Sequence, residues 1–308
     1  MSAVAADRLL VHLASGIGNI MLATPLLVAL SRRFANIELR LDCDYPGAGG
    51  LFRHWSALRA VHDSGASELP GGAYHTIVPA IPPFAWPRYA GLYRHCPQAM
   101  SRPPDTLFYA DEQAYYLEFA RRLGCAVVPA PHSFVPVAPR RESDVSPRTL
   151  ALAPGCKTGI MAAKRWPYFP RLAEQFDDVV IVGTADDLRC FDGTKMVFPP
   201  HVRSLVDRLS LPELAATLAA CGVVVANDSG IGHLSAAVGV PTVLLFGPTP
   251  HRTLGAFPQN VTVLRQALPC APCWFADRLV ACGGRIDCLE QMPPSRVAAA
   301  LRRAGFRG

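Results

Sequence analysis

Short apolar runs alternate along this chain with glycine- or proline-bearing turns and with stretches of helical spacing. The first run is Arg8-Leu9-Leu10-Val11-His12-Leu13. The turn Ser15-Gly16-Ile17-Gly18-Asn19 follows it. Residues 20–34 then carry apolar side chains at the period of an α-helix. Pro25 lies early in that stretch, where proline is tolerated. Residues 38–41 predict a second strand, ending at Asp42-Cys43-Asp44. Strand, helix and strand in this order predict a βαβ unit, hence a parallel sheet with helices on its faces. Residues 75–79 predict another strand and 111–123 a helix. The stretch 82–104, rich in Pro, Tyr and Trp, predicts a long surface loop.

The pattern then restarts. Residues 129–148 hold five prolines and several charges and predict a linker. Strands are expected at 149–153, 179–182, 223–226 and 242–246, with helices at 169–176 and 232–238. Ser210 and Glu213 have the spacing of a capping box for a helix that ends near Cys221-Gly222. The reading gives an α/β chain with an N-terminal domain at 1–140, a second at 149–290 and a final helix within 291–308. Two such domains leave a cleft at the carboxyl ends of their strands, where open α/β sheets bind ligands.

Several turns carry chemistry. Asn227-Asp228-Ser229-Gly230-Ile231-Gly232-His233 sits between a strand and a helix. Free N–H groups and the helix dipole favour an anion there. A simple helix cap by Asp228 or Ser229 accounts equally for the same residues. His233 suits either a donor-phosphate contact or plain packing. Pro154-Gly155-Cys156-Lys157 and Lys164-Arg165-Trp166-Pro167 supply cations for phosphate oxygens, or form an ordinary basic loop. Gly16-x-Gly18 lacks a third glycine at Met21, which argues against a nicotinamide cofactor. Cys270, Cys273, Cys282 and Cys288 are concentrated near the end, and could form a zinc or iron thiolate site, buried thiols or a disulfide.

Composition narrows the class. Half of the 308 residues are hydrophobic and 18% are charged, which excludes a disordered tail and allows a large core. The net charge of +6 is spread rather than striped, which suits an anionic small molecule or an acidic membrane surface and disfavours nucleic acid. The N-terminus lacks the basic and apolar regions of a secretion signal, and no apolar run is long enough to span a bilayer. A cytoplasmic protein is expected, with association at the inner face of the cytoplasmic membrane as an extension. In that compartment ten cysteines are not a disulfide framework.

Together these motifs resemble glycosyltransferase family 9, the heptosyltransferases of lipopolysaccharide-core synthesis and their relatives. The matching parts occur in order: Gly16-x-Gly18-Asn19 through Ala23-Thr24-Pro25, Pro154-Gly155 with Lys164-Arg165-Trp166-Pro167, Asn227-Asp228-Ser229-Gly230 with His233 and Gly247-Pro248-Thr249, and the CxPC cluster. The resemblance implies a GT-B fold, two Rossmann-like doubly wound domains facing across a cleft. The acceptor would sit mainly in the first and the donor mainly in the second, with the last helix crossing back to the first. It implies transfer of a sugar, a heptose foremost, from a nucleotide diphosphate such as ADP to an acceptor hydroxyl. Inversion without a catalytic metal is part of the same implication. Lys164, Ser229 and Gly230 would hold the diphosphate, with Lys157 and His233 nearby, and Asp228 would contact the sugar. The acceptor would be a glycan, a lipid-linked sugar or a protein side chain.

One departure matters. The family commonly has an aspartate, taken as the catalytic base, where this chain has Asn19. General-base help is typically worth about 100- to 10,000-fold. Either Asp42 or Asp44 serves instead, or the acceptor needs less activation, or the protein binds a nucleotide sugar without turning it over.

Overall fold

The computed structural model describes residues 4–63, 68–128, 133–137, 145–273, 282 and 285–307. Most of the expected linker, 129–132 and 138–144, lies outside them. The chain divides into two compact units, Met1–Ala138 with Arg252–Pro258, and Pro139–His251 with Gln259–Gly308.

The first unit contains β1 (Val4–Ser15), α1 (Ile17–Ser31), β2 (Phe34–Cys43), β3 (Leu58–Asp63), β4 (Thr76–Ala80), α2 (Trp86–Tyr93), α3 (Asp105–Ala110) and α4 (Glu112–Arg122). Its strands are parallel in the order β3-β2-β1-β4. Strand order therefore reverses between β1 and β4, the kind of position where such sheets bind ligands. Helix α1 is buried along most of its length, as an almost wholly apolar helix must be, and packs against α4.

The stretch 82–104 is not the surface loop its prolines and aromatics predict. It contains α2, with Pro87 in its first turn. Trp86, Tyr89 and Tyr93 fall three and four residues apart and so share a helix face. Tyr89 and Tyr93 are buried in a cluster with Leu10, Ala14, Ile77 and Ile81. Burial of aromatic area overrides the loop-like composition.

The second unit contains β5 (Leu150–Ala153), α5 (Phe169–Ala173), β6 (Val179–Ile181), β7 (Arg203–Ser204), α6 (Leu211–Ala220), β8 (Val223–Asn227), α7 (Gly230–Ala237), β9 (Thr242–Phe246), β10 (Val261–Arg265), α8 (Asp287–Glu290) and α9 (Pro294–Arg303). The sheet is parallel, in the order β10-β9-β8-β5-β6-β7. Every residue of β5, β6, β8 and β9 is buried, as unbroken apolar strands covered on both faces should be. Strand order reverses between β5 and β8, which places Pro154 and Asn227-Asp228 at the switch. The Ser210–Glu213 capping box forms as predicted.

The final helix departs from expectation. Val297, Ala298, Ala300 and Leu301 of α9 belong to the second unit's core, and α9 packs on α5 and β9. Phe306 meets Phe176 at 5.8 Å between ring centroids. The apolar face that was to return to the first domain is occupied within the second unit's own core. No helix among the described residues is long and apolar enough to cross a membrane.

Candidate functional site

In the second unit the strand ends are tied together before any ligand is considered. Asn227 donates from Nδ2 to the carbonyl of Pro154 at 2.6 Å, joining the ends of β8 and β5. Its Oδ1 accepts the backbone N–H of Trp166 at 3.1 Å. Trp166 is fully buried, and its indole N–H donates to the Met292 carbonyl at 2.8 Å. The basic segment is thus pinned against the turn by a side chain on either side.

Asp228 is the centre of the arrangement. Its Oδ2 accepts from Lys164 Nζ at 3.0 Å and from Thr249 Oγ1 at 2.8 Å, and its Oδ1 lies 3.1 Å from His233 Nε2. Asp228 and His233 come from the single β8–α7 segment, Lys164 from the segment after β5 and Thr249 from the turn after β9. Burial pushes the Asp228 carboxyl up, but the charge of Lys164, the hydrogen bond and charge of His233 and the Thr249 hydroxyl outweigh it and hold the group well below the usual carboxylate range. Asp228 is therefore an ionised hub, not the helix cap. Ser229 is the cap: its hydroxyl accepts from Gly232 N at 3.4 Å. The helix cap and the ionised hub are thus two different residues, where the sequence offered either Asp228 or Ser229 as the cap.

The glycines divide similarly. A β-carbon on Gly232 would lie 2.6 Å from Leu244 and 2.8 Å from the Asn227 carbonyl, so Gly232 serves close helix–strand packing. A β-carbon on Gly155 would strike the Asp187 carboxyl group at 2.0 Å. The Asp187 carboxylate therefore covers that turn. Arg165 donates to the carbonyls of Asp186, Arg189 and Cys156 and acts as a clamp. Lys157 is exposed, and Lys164 is the cation set beside Asp228.

In the first unit the register sets Ala14 beside Asp42 and Ser15 beside Cys43, so the glycine turn and both candidate aspartates share one end of the sheet. Asp44 is exposed, and its backbone N–H donates to the Ser15 carbonyl at 3.2 Å. Asp42 is buried. Its Oδ2 accepts from Arg40 Nε at 2.7 Å and lies 2.7 Å from His12 Nε2, off the ideal hydrogen-bond axis. Burial pushes the Asp42 carboxyl up, but bonding to His12 and Arg40 pulls it below its ordinary range. Asn19 donates from Nδ2 to Glu112 Oε1 at 2.8 Å. Glu112 was not singled out by the sequence, where an acidic residue in a first helical turn is ordinary.

His12 gives a pH signature. Burial pushes its imidazole below the usual range, against the Asp42 contact that raises it and with the Arg40 charge that lowers it. A histidine whose folded value is depressed contributes stability above its unfolded value of about 6.5. That contribution is lost as pH falls through the lower folded value. Thermal unfolding followed from pH 8 to 5 should therefore show the first unit weakening below about pH 6.5. The slope should flatten in His12→Asn, and an unchanged slope would remove His12 as its source.

For Cys270, Cys273, Cys282 and Cys288 the sequence leaves open a zinc or iron site, buried thiols or a disulfide. Burial first, and then the nearby Cys270 and Cys282 thiols, push the Cys273 and Cys288 thiols up, with Cys273 acting on Cys288 as well. Yet no group of three or more potential ligands among the described residues has a metal-holding arrangement. Cys282 donates to the Arg285 carbonyl, and Cys288 packs in the second unit's core.

Residues 135–280 match the family model described as glycosyltransferase family 9 (heptosyltransferase). Lipopolysaccharide heptosyltransferase 1 of Pseudomonas aeruginosa is 46% identical over 70 residues, covering 23% of this chain and 20% of that protein. Lipooligosaccharide heptosyltransferase 2 of Haemophilus influenzae is 32% identical over 126 residues, covering 38% and 36%. The match thus spans well under half the length of either relative. The solved structure of the E. coli ADP-heptose lipopolysaccharide heptosyltransferase II covers 96% of this chain and 98% of its own, with a TM-score of 0.66 and 20% identity, a likeness of fold. The resemblance to glycosyltransferase family 9 is borne out, and so is the α/β class with two Rossmann-like parallel sheets, as in GT-B proteins.

Proposed function

We propose that this chain is a glycosyltransferase that moves a heptose from ADP-heptose to an acceptor hydroxyl on a lipopolysaccharide or other surface glycan, with inversion at the anomeric carbon. The observation that carries the reading is the Asp228 hub: Lys164, His233 and Thr249 gathered on one ionised carboxylate beside the start of α7, at the switch point of the sheet. A lysine ammonium has three N–H groups. One serves Asp228, and the others are offered to the diphosphate, together with the first N–H groups of α7 at Ser229-Gly230.

In the reaction the acceptor oxygen forms a bond to the anomeric carbon. The bond from that carbon to the diphosphate oxygen breaks, and its electron pair leaves on the diphosphate. Lys164 and the helix start stabilise the charge that grows there. Asp228 orients the sugar and keeps Lys164 in place. Lys157, at the surface, guides the anionic donor inward. The acceptor lies at the turn 15–19 of the first unit, and its proton is taken with the help of Asp44 or Asp42 or lost to solvent. No metal takes part in the transfer. Work at the inner face of the cytoplasmic membrane fits an acceptor held there and the excess of positive charge.

The second reading is a catalytically weak nucleotide-sugar-binding protein, and Asn19 is the feature that favours it. A thermal-shift screen over ADP-, UDP- and GDP-sugars separates donor binding from everything else, because a tight ligand raises apparent stability by mass action. ADP-heptose should give the largest shift. Free ADP should then appear when deacylated lipopolysaccharide core is added, at a rate that chelator leaves unchanged. A shift without ADP release would select the binding protein, and no shift with any nucleotide sugar would overturn both readings.

A further inference from the structure

The Asn19–Glu112 contact belongs to a longer string. Glu112 is 4% exposed, and its Oε1 accepts from Asn19 Nδ2 at 2.8 Å and from the Tyr116 hydroxyl at 3.2 Å. Asn19 Oδ1 accepts from Ser15 Oγ at 3.2 Å. Ser15 has a φ of 98°, in the left-handed region that favours glycine over a residue with a β-carbon. Its carbonyl also takes the Asp44 N–H. The string therefore starts at the strained junction of β1 and the glycine turn and ends on a buried carboxylate.

Two ordinary roles for Glu112 fall short. A first-turn acid usually caps or faces water near the helix start. Here Asp111 fills the cap, accepting from Ala114 N at 2.8 Å, and Glu112 turns inward to α1. Packing alone would not select a carboxylate for a buried site, because burying one is costly unless it is bonded. With two donors on one oxygen, Glu112 acts as an acceptor, and this fixes the Asn19 amide: the NH2 end must face Glu112 and the carbonyl end must face Ser15. An amide carbonyl has two lone pairs, and Ser15 uses one.

We infer that Glu112 is a positioning residue that locks the Asn19 amide, so that the second lone pair of its carbonyl receives the acceptor's hydroxyl hydrogen. This rests on the transferase reading above and on the turn 15–19 as the acceptor's seat. Asn19 then orients the nucleophile without acting as a base. The acceptor proton leaves to solvent as the new carbon–oxygen bond forms and the diphosphate departs with the bonding pair.

The test uses full-length Glu112→Gln, Asn19→Asp and the double variant, with ADP-heptose and deacylated lipopolysaccharide core as probes. A glutamine can present either end to Asn19, so Glu112→Gln should lower kcat about 10- to 100-fold, as misorientation of a reactant does. The KM for ADP-heptose and the Tm should stay near wild type. Asn19→Asp sets two carboxylates against each other, which then share a proton. Its activity should be low near neutrality and rise with pH. The double variant restores one donor facing one acceptor, and should match or exceed the wild-type rate with a flatter pH profile. A merely structural Glu112 predicts losses that multiply in the double variant, and that result, or full kcat in Glu112→Gln, would overturn the lock. A second readout needs no turnover. The side-chain NH2 resonances of Asn19 in 15N-labelled protein, identified by their loss in Asn19→Asp, should exchange slowly in the wild type and fast in Glu112→Gln. Unchanged exchange sinks the lock. Absent ADP release in the wild type sinks only the transferase reading.

Discussion

Lys164→Met is expected to lower transfer by about 100- to 1,000-fold, the usual cost of removing one fixed group that stabilises transition-state charge. Methionine keeps the stem and removes the ammonium. Lys164 is nearly buried, so its charge acts on the departing diphosphate through little intervening water. The same substitution strands Asp228. Breaking a buried ion pair by removing one partner costs about 3–5 kcal/mol. His233 at 3.1 Å and Thr249 at 2.8 Å remain on that carboxylate, which places the expected loss at the lower end of the range. The two effects separate in Lys164→Met/Asp228→Asn, where no charge is left unpaired. Denaturant unfolding should then show recovered stability, while ADP release stays low. Transfer within a few-fold of wild type in Lys164→Met would remove Lys164 as the cation of the diphosphate.

Trp166→Ala is expected to cost about 3–5 kcal/mol, as large-to-small changes of a buried aromatic do. The ring is fully enclosed, 5.1 Å from the Phe169 ring and 5.8 Å from that of Tyr168, centroid to centroid. It also bridges, through its indole N–H, to the Met292 carbonyl just ahead of α9. Trp166→Phe keeps most of the packing and leaves that carbonyl without its donor, a loss of about 1–3 kcal/mol. Urea unfolding should therefore rank wild type, Trp166→Phe and Trp166→Ala in that order. A midpoint for Trp166→Ala equal to wild type would show that the cavity closes by repacking. The proposed donor site should feel the alanine variant as well, because the backbone N–H of residue 166 anchors Asn227, one residue before Asp228.

The parts of this architecture that were legible in the sequence are those where local chemistry and burial agree. Strand β9 was read at its observed bounds, and β8 to within one residue, because fully buried parallel strands are unbroken apolar runs. The Ser210–Glu213 box is complete within four residues and so needs no tertiary information. Strands β3 and β10 are edge strands that mix exposed and part-buried positions, and no apolar run announces them. Helix α2 was hidden by residues that usually mark loops. At the site, the glycine turns and Lys164 stood out by type and order. Glu112 could not, because its meaning comes from Asn19, 93 positions away. Gly155 and Arg165 looked like phosphate ligands by type, and only their partners show that they are engaged within the protein.

The short segment Arg252–Pro258 groups with the first unit although the chain on both sides of it groups with the second. Within it, Gly255 adopts a φ of 95°, and a β-carbon there would lie 2.7 Å from Gln113 Oε1, the residue next to Glu112. The first unit is therefore assembled from two separate stretches of the chain. A fragment ending at Ala138 would lack the piece that covers Gln113, and the complementary fragment would carry that piece with nothing to cover. Any shuffling of related chains at a single crossover in the linker would split this unit between parents, so compatible chimeras should inherit 252–258 together with the N-terminal half.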